Sequence, residues 1–176
     1  MTVESNENKT QYVQEDTRRA VDAFENLDTD AKLGLLYLIY EKMGKSITPA
    51  APTATDPNLA PLLLGNYYDL SEQEQLTIMR QIVNREATEY SRAYGSLREN
   101  NQLMVWFAWA QAMGNTVVGM PPNYQASETI QNLLAQVESL SFENQISMLR
   151  AIASQMGYTE VQPIPTQAET GKTASL

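Results

Sequence analysis

The chain has 176 residues, 43% of them apolar, and its 12 basic and 21 acidic side chains give a net charge of −9. It contains neither cysteine nor histidine, which excludes disulfides, thiolate metal sites and cysteine nucleophiles and removes the side chain that titrates nearest neutral pH. So acidic a chain is poorly suited to a phosphate backbone or an anionic membrane surface, and the charge reads as a source of solubility.

The opening MTVESNENKTQY has neither a basic n-region nor an apolar h-region, so it is not read as a signal peptide, and a cytoplasmic protein is expected. Residues 1–12 read as a disordered N-terminal extension. Val13 to Phe24 is a charged amphipathic stretch, and Asp28 to Met43 is a second helix with apolar residues at 33, 36, 37, 40 and 43. KSITPAAPTATDP (45–57) cannot continue that helix, because proline lacks the backbone N–H and its ring clashes with the preceding turn. Ser71–Glu72–Gln73–Glu74 has capping-box spacing, in which the Ser and Glu side chains satisfy free backbone N–H groups reciprocally. Further helices are expected at about 99–113, 127–138 and 141–156, the last with Gly157 as its C′ residue. VVGMPPNYQAS (117–127) is a second loop, and TEVQPIPTQAETGKTASL (159–176) is a polar, linker-like tail without apolar periodicity. No segment alternates as a strand does, so the fold class is all-α, with one helical domain over 13–158.

The stretch LMVWFAWAQAM (103–113) departs from the usual amphipathic stripe: Leu103 to Ala110 run apolar without a break, and Gln111 is the only polar residue. A helix apolar all round is buried on every side or lines an apolar cavity. Aromatic residues recur here at helical spacing, with Tyr37 and Tyr40 on one helix and Trp106, Phe107 and Trp109 on another, and methionines are scattered over the same elements. Two readings fit these residue types. One is an ordinary packed core, the commoner case; the other is the wall of a site for a flat or conjugated molecule.

A shift of 70 residues superposes several landmarks. Leu27, Leu33, Met43, Gly44 and Pro52 meet Leu97, Leu103, Met113, Gly114 and Pro122; Leu70, Ser71, Gln75, Arg80 and Ile82 meet Leu140, Ser141, Gln145, Arg150 and Ile152. Two repeats are too few for a solenoid and point to a pseudo-symmetric pair of helical bundles. Arg80 and Arg150 fall in equivalent apolar contexts, each free to reach outward, to pair with a carboxylate or to flank a pocket. Glu72, Glu74 and Glu143 lie in first helical turns, where the helix dipole favours acidic residues. No phosphate-binding glycine loop, nucleophile elbow or metalloprotease motif is present, so no enzymatic role is expected.

The strings GLLYLIYEKMGKSITPAAP (34–52), QIVNRE (81–86), WFAWAQAMG (106–114), PPNYQAS (121–127) and ISMLRAIASQMGY (146–158) resemble the N-terminal domain of the orange carotenoid proteins over roughly residues 13–158. Because the sequence stops after that region, it is most similar to the stand-alone helical carotenoid proteins. The resemblance implies two interleaved four-helix bundles enclosing one keto-carotenoid (canthaxanthin, echinenone or 3'-hydroxyechinenone). It also implies photoprotection without covalent chemistry, chiefly singlet-oxygen quenching, with constitutive quenching of phycobilisome excitation as the alternative. A protein-interaction adaptor without pigment is the remaining non-enzymatic reading.

Carried over by position, the carotenoid-lining residues are Leu33, Leu36, Tyr37 and Tyr40, then Met79 and Val83, then Leu103, Trp106, Phe107, Ala110 and Met113. Met120, Pro121 and Tyr124 follow from the Pro-rich loop, and Ile146, Leu149 and Arg150 from the last helix. Tyr37 stands where the family has a tryptophan and Phe107 where it has a tyrosine. The family's light-switching C-terminal domain has no counterpart here, so no photocycle is expected. Arg150 occupies the position of the arginine implicated in domain contact and phycobilisome docking, and a free homologue of the C-terminal domain is implied as a carotenoid donor. By the same analogy the protein works at the cytosolic face of thylakoids, near phycobilisomes.

Overall fold

A computed structural model describes residues 15–44 and 57–160. The expected N-terminal extension (1–12), most of the first Pro-rich loop with its landmark Pro52, and the tail from residue 161 lie outside the described residues. The described residues form seven helices: α1 (15–25), α2 (Thr29–Met43), α3 (Glu72–Val83), α4 (Glu89–Gly95), α5 (Glu99–Ala112), α6 (Glu128–Ser139) and α7 (Phe142–Ser154). Short 3-10 turns occupy Pro57–Leu59 and Asn66–Asp69, and an isolated bridge between Met113 and Val117 is the sole β-type pairing among the described residues. The chain is all-α.

Most helices begin where a short polar side chain accepts a free amide. Asp28, Ser71, Thr88, Ser127 and Ser141 each cap the following helix, and Ser71 with Glu74 completes the capping box. Each such cap contributes about 1 kcal/mol. α5 starts at Arg98, which makes no side-chain cap, and it is held by burial instead. Leu103 to Trp106 and Trp109 are each no more than 5% exposed.

The described helices differ in how they pack. α3, α6 and α7 each present one apolar stripe to the core, whereas α2 and α5 are apolar around most of their circumference. α2 therefore packs on α3, α5 and α6 together, and α5 on α2 and α7, so contacts cross between the first and second parts of the chain.

The 70-residue offset recurs in the bonding. Gln75 Nε2 donates to the Tyr67 carbonyl (3.1 Å) and Gln145 Nε2 to the Val137 carbonyl (3.0 Å). Arg80 Nε donates to Asp30 (2.9 Å) and Arg150 Nε to Asn100 (3.0 Å). The correspondence fails at α6, whose counterpart is the 57–69 segment. There Pro61 lacks an N–H, and Asn66 and Tyr67 reach back five residues to the carbonyls of Pro61 and Leu62, so the helix is replaced by wide and tight turns.

Two sequence expectations are corrected. The short helix α4 is absent from the elements expected from the sequence, and α7 ends at Ser154, two residues before the expected 156, with Gln155 and not Gly157 next to its end. Gly157 has a left-handed backbone (φ +79°), and its N–H bonds the Ile82 carbonyl at the end of α3 (2.8 Å). It fastens two helices together and does not cap its own.

Candidate functional site

The two aromatic helices meet at an apolar cavity of about 290 Å³. α2 contributes Leu33, Gly34, Leu36, Tyr37 and Tyr40; α3 contributes Leu76, Met79 and Arg80; α5 contributes Trp106, Trp109 and Ala110. Met113 follows α5, and Val118, Gly119, Met120, Pro121 and Tyr124 close the remaining side. A second cavity of about 470 Å³ lies alongside and shares Tyr37, Tyr40, Ala110 and Met113 with the first; Glu41, Lys42, Gly44, Phe107 and Gln111 complete its wall. The first cavity is apolar, and the second is bordered by charged and amide side chains as well as by Phe107.

The aromatic wall is rigidly built. Trp109 stacks on Tyr67 with ring centroids 4.1 Å apart and 16° between planes, and Trp106 meets Trp109 edge-on at 5.4 Å. Both indole N–H groups are turned into the protein: Trp109 Nε1 donates to the Leu63 carbonyl (3.0 Å) and Trp106 Nε1 to the Tyr94 hydroxyl (2.8 Å). Tyr94 in turn donates to the Ala153 carbonyl (2.8 Å). The buried polar atoms of the indoles are thus satisfied internally, as burial demands, and what the tryptophans offer the cavity is hydrocarbon.

Polar groups stand at the edges. Arg80 binds Asp30 in bidentate fashion (2.9 and 3.1 Å) with both side chains substantially exposed. Lys42, on the wall of the second cavity, pairs with Glu138 at 3.1 Å. Burial pushes the Tyr40 and Tyr124 phenols above the ordinary tyrosine value, with the Asp28 charge adding to the second. Tyr37 is raised first by its hydrogen bond to Glu41, then by burial and the Glu41 charge. All three remain neutral hydroxyls at physiological pH. Among the described residues no cluster of three acidic side chains could hold a metal, and no helix is long and apolar enough to cross a membrane.

The cavities gather most of the residues marked in the sequence. Leu33, Leu36, Tyr37, Tyr40, Met79, Trp106, Ala110, Met113, Met120, Pro121 and Tyr124 line the first, and Phe107 lines the second. Val83, Leu103, Ile146 and Leu149 are buried in the core and line neither of these two cavities. Arg150 sits elsewhere, in an open depression with Arg98, Glu99 and Asn100. Gly34, Leu76, Val118, Gly119 and Asp30 also line the first cavity and carry no local signal in the sequence. Trp109 and Arg80 line it too; the sequence offers Trp109 as part of an aromatic wall and Arg80 as a residue free to flank a pocket, though neither is among the positions carried over from the family.

A family model described as the N-terminal part of orange carotenoid protein matches residues 10–159. An orange carotenoid-binding domain-containing protein of Nostoc is 36% identical over 138 residues, covering 78% of this chain and 81% of that protein. The orange carotenoid-binding protein of Synechocystis is 31% identical, and the matched part spans only 43% of its length. Among solved structures, the Anabaena (Nostoc) red carotenoid protein binding canthaxanthin superposes with a TM-score of 0.72 at 33% identity, covering 81% of this chain and 99% of that one. The chain belongs to the orange carotenoid protein N-terminal family.

Proposed function

We propose that the chain binds one keto-carotenoid non-covalently at the cavities beside α2 and α5 and serves in photoprotection, chiefly by quenching singlet oxygen. The observation that carries this reading is the apolar cavity between α2 and α5, walled by Tyr40, Trp106 and Trp109 together with Met79 and Met113. It supports the reading because a polyene is long, flat and almost devoid of hydrogen-bonding groups, and aromatic faces with adaptable methionines suit such a shape. The fold shared with a canthaxanthin-binding protein adds to it.

In this reading the pigment supplies the photophysics, accepting excitation energy and releasing it as heat. The protein's side chains take the polyene out of water and fix its direction, and no side chain donates or accepts a proton. In this reading blue light leaves the spectrum of the loaded chain unchanged. Singlet-oxygen quenching is favoured because an unswitched antenna quencher would waste captured light. A second reading, quenching of phycobilisome excitation, draws on Arg150: its guanidinium donates to the neutral Asn100 and stands beside Arg98 on the surface of an otherwise acidic chain.

Purification from a bacterium making canthaxanthin, beside one making only β-carotene, tests the proposal. A stoichiometric, red-shifted visible band with canthaxanthin is expected, and Trp106→Ala should shift or abolish it. A colourless, fully helical protein from both hosts would refute carotenoid binding and favour an adaptor. Loss of phycobilisome fluorescence on mixing, abolished by Arg150→Glu, would promote the antenna reading over singlet-oxygen quenching.

A further inference from the structure

Gly34 sits in the interior of α2, where glycine is the least favourable residue after proline. The equivalent position 70 residues on, in α5, carries Met104, which is wholly buried. Nothing in the helix pair itself therefore requires glycine at this place. What requires it is Tyr124: a Cβ built on Gly34 would overlap the Tyr124 hydroxyl oxygen and lie 3.1 Å from its Cζ. The phenol lies directly on the bare α-carbon.

Both residues line the first cavity, next to Asp30 and Arg80, whose side chains are 66% and 45% exposed. The inner wall is shielded by contrast, with Trp106 at 5% and Trp109 at 1%. The exposed Asp30–Arg80 pair and Tyr124 border the same cavity, and the Tyr124 phenol reaches Gly34 on its wall. We propose that the cavity opens to solvent beside Asp30 and Arg80 and that Gly34 is the seat on which the Tyr124 phenol closes this mouth, so that the smallest side chain in α2 controls access to the aromatic wall.

When a methyl group is added at position 34, the phenol is the part that gives. α2 is held by α3, α5 and α6. The Tyr124 backbone is held by a turn from its N–H to the Pro121 carbonyl (3.1 Å) and leads directly into the capped start of α6. The ring is the far end of a side chain, and among the described residues its hydroxyl has no hydrogen-bond partner to hold it. As a cover over a carotenoid, the device rests on the function proposed above; as a cover over the tryptophans, it does not.

The two tryptophans of the sequence both line this cavity, so acrylamide quenching of their fluorescence in the pigment-free chain reports the opening directly. Gly34→Ala is expected to raise the Stern–Volmer constant at least about twofold, as displacement of a covering side chain exposes the site. Adding Tyr124→Phe to that variant removes the overlapping oxygen and should return most of the change, and Tyr124→Ala alone should raise the constant on its own. An unchanged constant in Gly34→Ala or Tyr124→Ala would overturn the inference, as would a rise in Gly34→Ala that survives Tyr124→Phe, which would mean the helix had moved. In the canthaxanthin-loaded chain, Gly34→Ala should speed pigment transfer to phosphatidylcholine vesicles. A wild-type chain that takes up no pigment would refute carotenoid binding while leaving the fluorescence result standing.

Discussion

The part of the molecule built from α1 to α3 and the part built from α4 to α7 share a pattern of polar bonds but put it to different ends. In both, a glutamine amide on the fourth residue of a capped helix donates to a carbonyl eight residues back, and an arginine five residues further on reaches a side chain fifty residues earlier. These bonds tie each helix to the segment before it. The differences lie where the molecule meets something else. Arg80 finds the carboxylate of Asp30 and closes an ion pair at the rim of the cavity, whereas Arg150 finds the neutral Asn100 and keeps its charge at the surface beside Arg98. Gln75 also bonds the Thr116 carbonyl and accepts from Val118 N–H, both at 2.8 Å, and so anchors the segment that forms the cavity's far side. Among the described residues Gln145 Nε2 has the Met43 sulfur as its second hydrogen-bond partner (3.4 Å). The same bonding pattern borders an apolar cavity in one place and an exposed depression of Arg98, Glu99, Asn100 and Arg150 in the other.

The largest effect that tests this comparison is alkaline unfolding. Burial raises the Tyr67 phenol in the first half and the Tyr94 phenol in the second above their ordinary value of 10.0. The unfolded chain therefore loses these protons first, so stability is intact below pH 10 and falls as pH rises beyond it. Circular dichroism against pH should show one cooperative step, because contacts cross between the halves; two separated steps would break the idea of a single shared core. Next, Gln75→Ala should cost about 3 kcal/mol and Gln145→Ala about 1–2, measured by urea denaturation. Equal costs would erase the asymmetry assigned to them.

A smaller loss, about 1–2 kcal/mol, is expected for Tyr94→Phe, which leaves the Trp106 N–H without its acceptor. Its counterpart in the first half, Phe24, has no hydroxyl to lose. The smallest effects come from exchanging the acids. Asp30→Asn should destabilise and Asn100→Asp stabilise, each by less than about 1 kcal/mol because the pairs are exposed. If Asn100→Asp also weakened any phycobilisome quenching while Asp30→Asn did not, the surface role of Arg150 would gain sharp support.

Much of this molecule was legible in the sequence because its signals are local. The capping box of Ser71 and Glu74 acts within a few residues. α4 was missed because seven residues cannot show helical periodicity, and only Thr88 marked its start. Gly157 was misread because its partner, the Ile82 carbonyl, comes from a distant helix. Leu103 and Trp106 look alike in the string LMVWFAWAQAM, yet one is core and the other faces the cavity. A helix that is apolar all round carries no record of which side meets protein and which meets space.

Taken alone, the sequence determined the all-helical class, the repeat and the apolar character of α2 and α5, because propensity, capping and hydrophobicity are properties of short stretches. Only the tertiary structure decided that the two apolar helices leave a gap between them, that both indole N–H groups turn away from it, and that Tyr124 rests on Gly34. Those outcomes depend on how side chains from four separate segments fill or fail to fill one volume, and packing of that kind has no representation along a single chain.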